Sequence, residues 1–243
     1  MYKSITAILV FFTLSAANAA EYSATNWSYI GETAPEHWSN LDEKFSACAG
    51  HNQSPINISH AVSAELKPLQ FKYDAKVQNV LMSDHTLQVN FNTGATLDLD
   101  GQLFELKQFH IHTPSENTLL GKQYPLELHL VHANAAGELA VVALMYEQGS
   151  QNKALKSLLA LSGQSTNTVS DAQFQLEAFM PKHLDYYRFN GSLTTPPCTE
   201  GVRLVVLKEI QQASKAQLKA FQQLFQHGNN RPVQPQHARL VLH

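Results

Sequence analysis

The chain has 243 residues, 44% of them hydrophobic and 15% charged, a composition that suits one sizeable globular domain or two small ones with a real buried core. Its formal charge is −3, and no run of Lys and Arg is long enough to track a nucleic-acid backbone. Nucleic acid is thereby excluded as a partner.

The N-terminus opens with Lys3, continues through the apolar run ITAILVFFTLSAA, and reaches the small-x-small triplet Ala17-Asn18-Ala19. This pattern predicts a secretory signal peptide over residues 1–19, with a periplasmic or secreted mature protein. A membrane anchor fits less well, because the run is short for a span and no basic flank follows it. Cleavage removes one base and no acid, so the mature charge becomes −4. Residues 20–243 contain no internal repeat, low-complexity tract or linker-like boundary, and read as a single domain. Only two cysteines are present, Cys48 and Cys198. In an oxidising compartment they are expected to form one disulfide. Neither belongs to a C-x-x-C pair, which argues against zinc ligation by thiolates.

The middle of the chain is rich in β-like segments, several of which alternate with a period of two: LQVNF (87–91), ATLDLD (95–100), LFELKQFHIH (103–112), LELHLVH (126–132), LAVVALMY (139–146) and VRLVVLKEI (202–210). Two helices are predicted. One is NKALKSLLALSG, with Leu155, Leu158 and Leu159 as its apolar face. The other starts at Ser214, with Gln217 three residues on as a capping-box partner, and ends near Gly228. The fold class is therefore mixed but predominantly β, a sheet with helices at its margins.

On a strand, residues two apart share a face. His110 and His112 consequently point the same way, as do Glu127, His129 and Val131, while His132 falls on the other face with Leu128 and Leu130. Should the two strands be neighbours, three imidazoles converge. Three neutral imidazoles with a fourth position open describe a catalytic zinc site, whereas calcium and magnesium want oxygen ligands. Copper and non-haem iron are compatible on ligand softness. Any one of the twelve histidines, taken alone, reads equally as a core or surface residue.

The segment SENTLLGKQYPLELHLV (115–131) resembles the signature of the α-class carbonic anhydrases. QSPINI (53–58), QFHIH (108–112), SLTTPPCTEGV (192–202), PEHW (35–38) and NNRPVQP (229–235) are similar to further motifs of that family, in the same order. The resemblance implies a central, largely antiparallel twisted sheet with a zinc ion at the base of a conical cleft. It makes His110, His112 and His129 the metal ligands, supported by Gln108, the Asn229 backbone carbonyl and Glu127 respectively. Thr194 would accept a hydrogen bond from a zinc-bound hydroxide and donate to Glu116. Val131, Val141, Leu193 and Val202 would form an apolar wall for carbon dioxide, with Thr195 beside them, and His85 would carry the proton to buffer. The chain departs from the family at Leu204, where tryptophan is usual, and at Thr113, where animal members have an aromatic residue. The implied activity is reversible hydration of carbon dioxide to bicarbonate, with sulfonamides and simple anions as inhibitors. The alternatives are a catalytically silent binding module or an esterase side activity.

Overall fold

Alternation of side chains along each strand builds a sheet whose two faces carry different chemistry. The computed structural model of the protein describes residues 26–162 and 175–243, so the predicted leader at 1–19 lies outside the described residues. The strands are β1 (Asn57–Ile58), β2 (Gln70–Tyr73), β3 (Val77–Met82), β4 (Leu87–Phe91), β5 (Ala95–Leu99), β6 (Gln102–His112), β7 (Thr118–Leu119), β8 (Lys122–Gln123), β9 (Leu126–Ala133), β10 (Leu139–Gln148), β11 (Tyr186–Ser192), β12 (Glu200–Leu207) and β13 (Gln211–Ala213). The helices are α1 (Trp38–Leu41), α2 (Lys153–Ser162) and α3 (Lys215–Gln222).

Ten strands form one sheet with the path β11-β12-β10-β9-β6-β4-β3; β5 joins β6 to β2, and β13 pairs with β10. Most neighbours run antiparallel, while β10 is parallel to β12 and to β13. A small sheet of β1, β7 and β8 lies apart from it. The six β-like segments of the sequence became β4, β5, β6, β9, β10 and β12, as expected.

One face of the large sheet packs the main core. Leu126, Leu128 and Leu130 of β9, Val142 and Leu144 of β10, and Leu87 and Val89 of β4 meet Leu155 and Leu158 of α2 and Phe221 of α3 there. Burial of each such side chain contributes about 1.5–3 kcal/mol. Ser214 caps α3: its hydroxyl accepts from Gln217 N at 3.3 Å while Gln217 Oε1 accepts from Ser214 N at 3.1 Å. Gln217 also bonds both backbone polar groups of Asn152, tying α3 to the start of α2. α3 ends at Gln222, short of the predicted stop near Gly228. The chain tightens there through Leu224 N donating to Phe221 O, which turns Phe225 into the core.

A bulge in β6 sets which of its residues face the cavity. Leu106 pairs with His132 and Gln108 with Val131, leaving Lys107 as an extra residue. Phe104 and Leu106 before the bulge therefore share the core face with Phe109 and Ile111 after it. Gln108, His110 and His112 are left facing the opposite side.

Candidate metal centre

The antiparallel register places His110 directly across from His129 and His112 across from Glu127. The three imidazoles meet with ring centroids 4.6–5.3 Å apart. Each offers one nitrogen to a common point, these atoms all lying within 4.8 Å of one another. The remaining nitrogen of each ring is held from outside. His110 Nδ1 donates to Gln108 Oε1 at 2.8 Å, His112 Nδ1 to the Asn229 carbonyl at 2.7 Å, and His129 Nε2 to Glu127 Oε1 at 2.9 Å. These acceptors fix the tautomers, so that the inward nitrogens are His110 Nε2, His112 Nε2 and His129 Nδ1, each a lone pair.

The donor set fits a borderline cation. His112 Nε2 is buried with no hydrogen-bond partner. An orphaned buried acceptor of this kind costs about 1–3 kcal/mol in the absence of a ligand. Three convergent imidazole nitrogens match zinc, and they lack the oxygen atoms that calcium or magnesium require.

Burial shapes the electrostatics. Desolvation, joined by the charges of His112 and His129, pulls His110 well below the usual imidazole range, and desolvation takes His112 down to about 3. Burial also acts to lower His129, but the charge and hydrogen bond of Glu127, joined by Glu116, outweigh it and hold that imidazole above its ordinary value. Glu127 is itself fully buried; the His129 charge and the hydrogen bonds from His129 and Asn117 overcome desolvation and keep its carboxyl low. Its oxygens also accept from Glu116 N, Asn117 N and Asn117 Nδ2 at 2.7–2.9 Å.

Glu116 approaches the inward nitrogens of His112 and His129. Its Oε1 accepts from Arg231 N at 2.9 Å, while its Oε2 has no hydrogen-bond partner and lies 3.4 Å from His112 Nε2. Desolvation raises this carboxyl to about 7, against the lowering effects of His129, the Arg231 N–H and the Thr194 hydroxyl. Thr194 lines the cavity close enough to this carboxyl to lower its pKa.

A cavity of about 760 Å³ opens over the three histidines. Val131, Val141, Leu193 and Leu204 line it with hydrocarbon, and Gln88, Gln108, Thr194 and Thr195 with polar groups. Val202 does not line it: 1% exposed, it packs in the layer beneath with Val131, Val141 and Leu204. Thr113, buried and also off the lining, donates to the Pro125 carbonyl at 3.1 Å. His85 lies at the cavity wall, stacked on Trp27 with centroids 3.9 Å apart, and partial burial lowers its pKa.

Several contributors escape a strand-by-strand reading. Trp27, Tyr29 and Phe45 line the cavity from segments without a hydrophobic period, where the aromatics of Trp27-Ser28-Tyr29 are the only signal. Asn229 does more than offer its carbonyl: Oδ1 accepts from Thr113 N, and Nδ2 donates to the carbonyls of His85 and Ile111. Arg231 is 2% exposed and donates to Gln53 Oε1, Ser54 O and Cys48 O, anchoring the segment whose N–H reaches Glu116. Cys48 and Cys198 are joined by a disulfide that links this region to the segment carrying Thr194.

Comparison with known proteins gives a consistent result. A family model described as eukaryotic-type carbonic anhydrase matches residues 33–243. A carbonic anhydrase of Pectobacterium atrosepticum is 43% identical over 95% of this chain and 96% of its own length, and one of Klebsiella pneumoniae is 46% identical over 90% and 91%. Among solved structures, the α-carbonic anhydrase of Thermovibrio ammonificans in complex with the inhibitor sulfanilamide superposes with a TM-score of 0.87. It is 39% identical, and the match covers 91% of this chain and all of that one.

Proposed function

The chain belongs to the eukaryotic-type carbonic anhydrase family, and from that premise we propose that His110, His112 and His129 hold the zinc ion with which it hydrates carbon dioxide reversibly to bicarbonate. The observation that carries the assignment is the set of three inward nitrogens within 4.8 Å of one another, each ring fixed by its own outer acceptor. Zinc would act as a Lewis acid that makes water ionise near neutral pH, an effect for which carbonic anhydrase is itself the familiar case.

The chain's own groups supply the rest. Gln108, the Asn229 carbonyl and Glu127 keep the rings in the ligating tautomer. Glu116, anchored by the Arg231 N–H, would accept the Thr194 hydroxyl proton and so turn the threonine lone pairs toward the nucleophilic water. Val131, Val141 and Leu193, joined by Leu204 and backed by Val202, would give carbon dioxide a surface on which water gains no hydrogen bonds. Thr195, at the polar edge of that surface, would meet a bicarbonate oxygen. His85 would pass the proton to buffer, and its lowered pKa favours release at neutral pH. Sulfonamides and small anions are the expected inhibitors, in keeping with the sulfanilamide complex of the Thermovibrio relative.

The reading takes residues 20–243 as one catalytic domain, exported after removal of residues 1–19. The Cys48–Cys198 disulfide supports an oxidising compartment, periplasmic or extracellular. Among the described residues no helix is long and apolar enough to cross a membrane. The test is stopped-flow hydration of carbon dioxide by the mature protein, with zinc assayed in the same preparation. Fast hydration should vanish on chelation and return with zinc; stoichiometric zinc without hydration would refute the catalytic reading. His85→Ala should slow hydration in weak buffer and recover with added imidazole. Absence of that rescue would remove His85 from the proton path.

A further inference from the structure

Two exposed histidines from opposite ends of the chain meet outside the cavity. The rings of His51 and His237 stand with centroids 5.4 Å apart and planes at 73°. Within this same molecule, the three imidazole pairs of the cavity centre have centroids 4.6–5.3 Å apart and planes at 56–84°. The surface pair therefore has nearly the mutual placement that the chain uses where imidazoles converge on one point. Among the described residues, no hydrogen bond or ion pair engages either ring. Neither histidine lines the cavity.

The loops that carry the two rings are cross-braced. Arg239, two residues after His237, donates from Nη2 to the carbonyl of Gln53, two residues after His51, and to that of Pro235, each at 2.8 Å. Gln234 N donates to Pro55 O at 2.7 Å, and Asn52 N to Glu200 Oε1 at 2.7 Å. Gln236 and Arg239 close a turn around His237 with side-chain bonds of 2.7 and 3.0 Å to each other's carbonyls. His237 itself has φ +51°, in the left-handed region. That conformation is disfavoured for a residue with a Cβ. The backbone is thus held, at some conformational cost, where the imidazole faces its counterpart. A pair so placed loses little freedom on engaging a shared ligand.

We propose that His51 and His237 form a two-imidazole surface site for a divalent transition cation. Imidazole nitrogen suits copper, zinc and nickel, whereas calcium and magnesium seek oxygen. Water would fill the remaining positions, because no third histidine, cysteine or carboxylate joins the pair within ligand reach among the described residues. A bound cation would clamp the loop before β1 to the C-terminal segment, which contact each other through Arg239 and Gln234. The site is independent of the cavity reading, since it uses none of the cavity's ligands.

The probe is Cu²⁺, added to the full-length mature protein with its zinc in place and followed by electron paramagnetic resonance and calorimetry. One Cu²⁺ should bind without release of zinc and display splitting from two imidazole nitrogens. His51→Ala and His237→Ala should each weaken this binding at least as much as the roughly 10–100-fold lost when even an outer-shell partner of a metal is removed. His183→Ala, a change at an exposed histidine elsewhere, should leave it intact. Copper binding unaffected by either of the first two substitutions would overturn the proposal. So would copper uptake that occurs only with zinc release, or no copper binding by the unsubstituted protein.

Discussion

His129 and His132 lie three residues apart on β9, both fully buried, yet the two sides of the sheet treat them oppositely. On the cavity side, the negative charge of Glu127 outweighs desolvation and raises His129. On the core side, His132 Nε2 meets the Tyr73 hydroxyl at 3.0 Å, and burial, only partly offset by the Ala140 and Leu130 backbone, lowers its pKa to about 4. A phenol can satisfy a ring nitrogen but cannot compensate a positive charge. Of these two residues of β9, His129 is thus stabilised in its charged form and His132 is held neutral, the difference being a buried carboxylate.

The largest test of this contrast is His129→Ala. Loss of a proposed ligand should lower zinc affinity and carbon dioxide hydration by more than the roughly 100-fold that removal of an outer partner costs. Normal zinc content in this variant, measured by atomic absorption, would break the assignment. The next effect belongs to His132. Between pH 6.5 and about 4, the unfolded chain binds a proton at this position that the native state refuses, so stability falls as pH falls through that window. The loss should reach about 3 kcal/mol. Urea unfolding of the zinc-loaded protein should therefore have a proton-linked slope that shrinks by about one proton in His132→Phe. An unchanged slope would mean that His132 titrates normally.

Glu127→Gln sharpens the comparison by removing the charge while keeping the shape. Zinc affinity should drop roughly 10–100-fold, with the fold preserved by circular dichroism. An unaltered affinity would show that the charge is irrelevant to the centre. The smallest effect is expected for Tyr73→Phe, which strips His132 of its hydroxyl partner. It should cost about 1 kcal/mol of stability and leave hydration rate and zinc content unchanged. A catalytic defect there would join the two faces that the structure separates.

Much of this site was legible in the sequence, because a strand has one geometric rule and short segments obey it. Period-two alternation alone puts His110 with His112 and Glu127 with His129 on common faces, and it assigns His132 to the other. The Ser214–Gln217 capping box and the apolar face of α2 are equally local, each arising from contacts three or four residues apart. Similarity to a known family then named partners that no local rule reaches, among them the Asn229 carbonyl, 117 residues from the ring it serves.

Other features belong to the tertiary structure alone. The register that sets His110 opposite His129 is a long-range pairing, and although the apolar positions of β6 shift from even to odd between Leu106 and Phe109, only the pairing with β9 locates the bulge at Lys107. Placement of Val202 beneath the wall, of Trp27 against His85, and of the Arg231 N–H on Glu116 depends on where loops return after long excursions. The electrostatics divide the same way. Composition specifies which groups can ionise, but only packing decides how much water each one loses and which charge replaces it, and that exchange raises the pKa of one histidine of β9 and lowers that of the other.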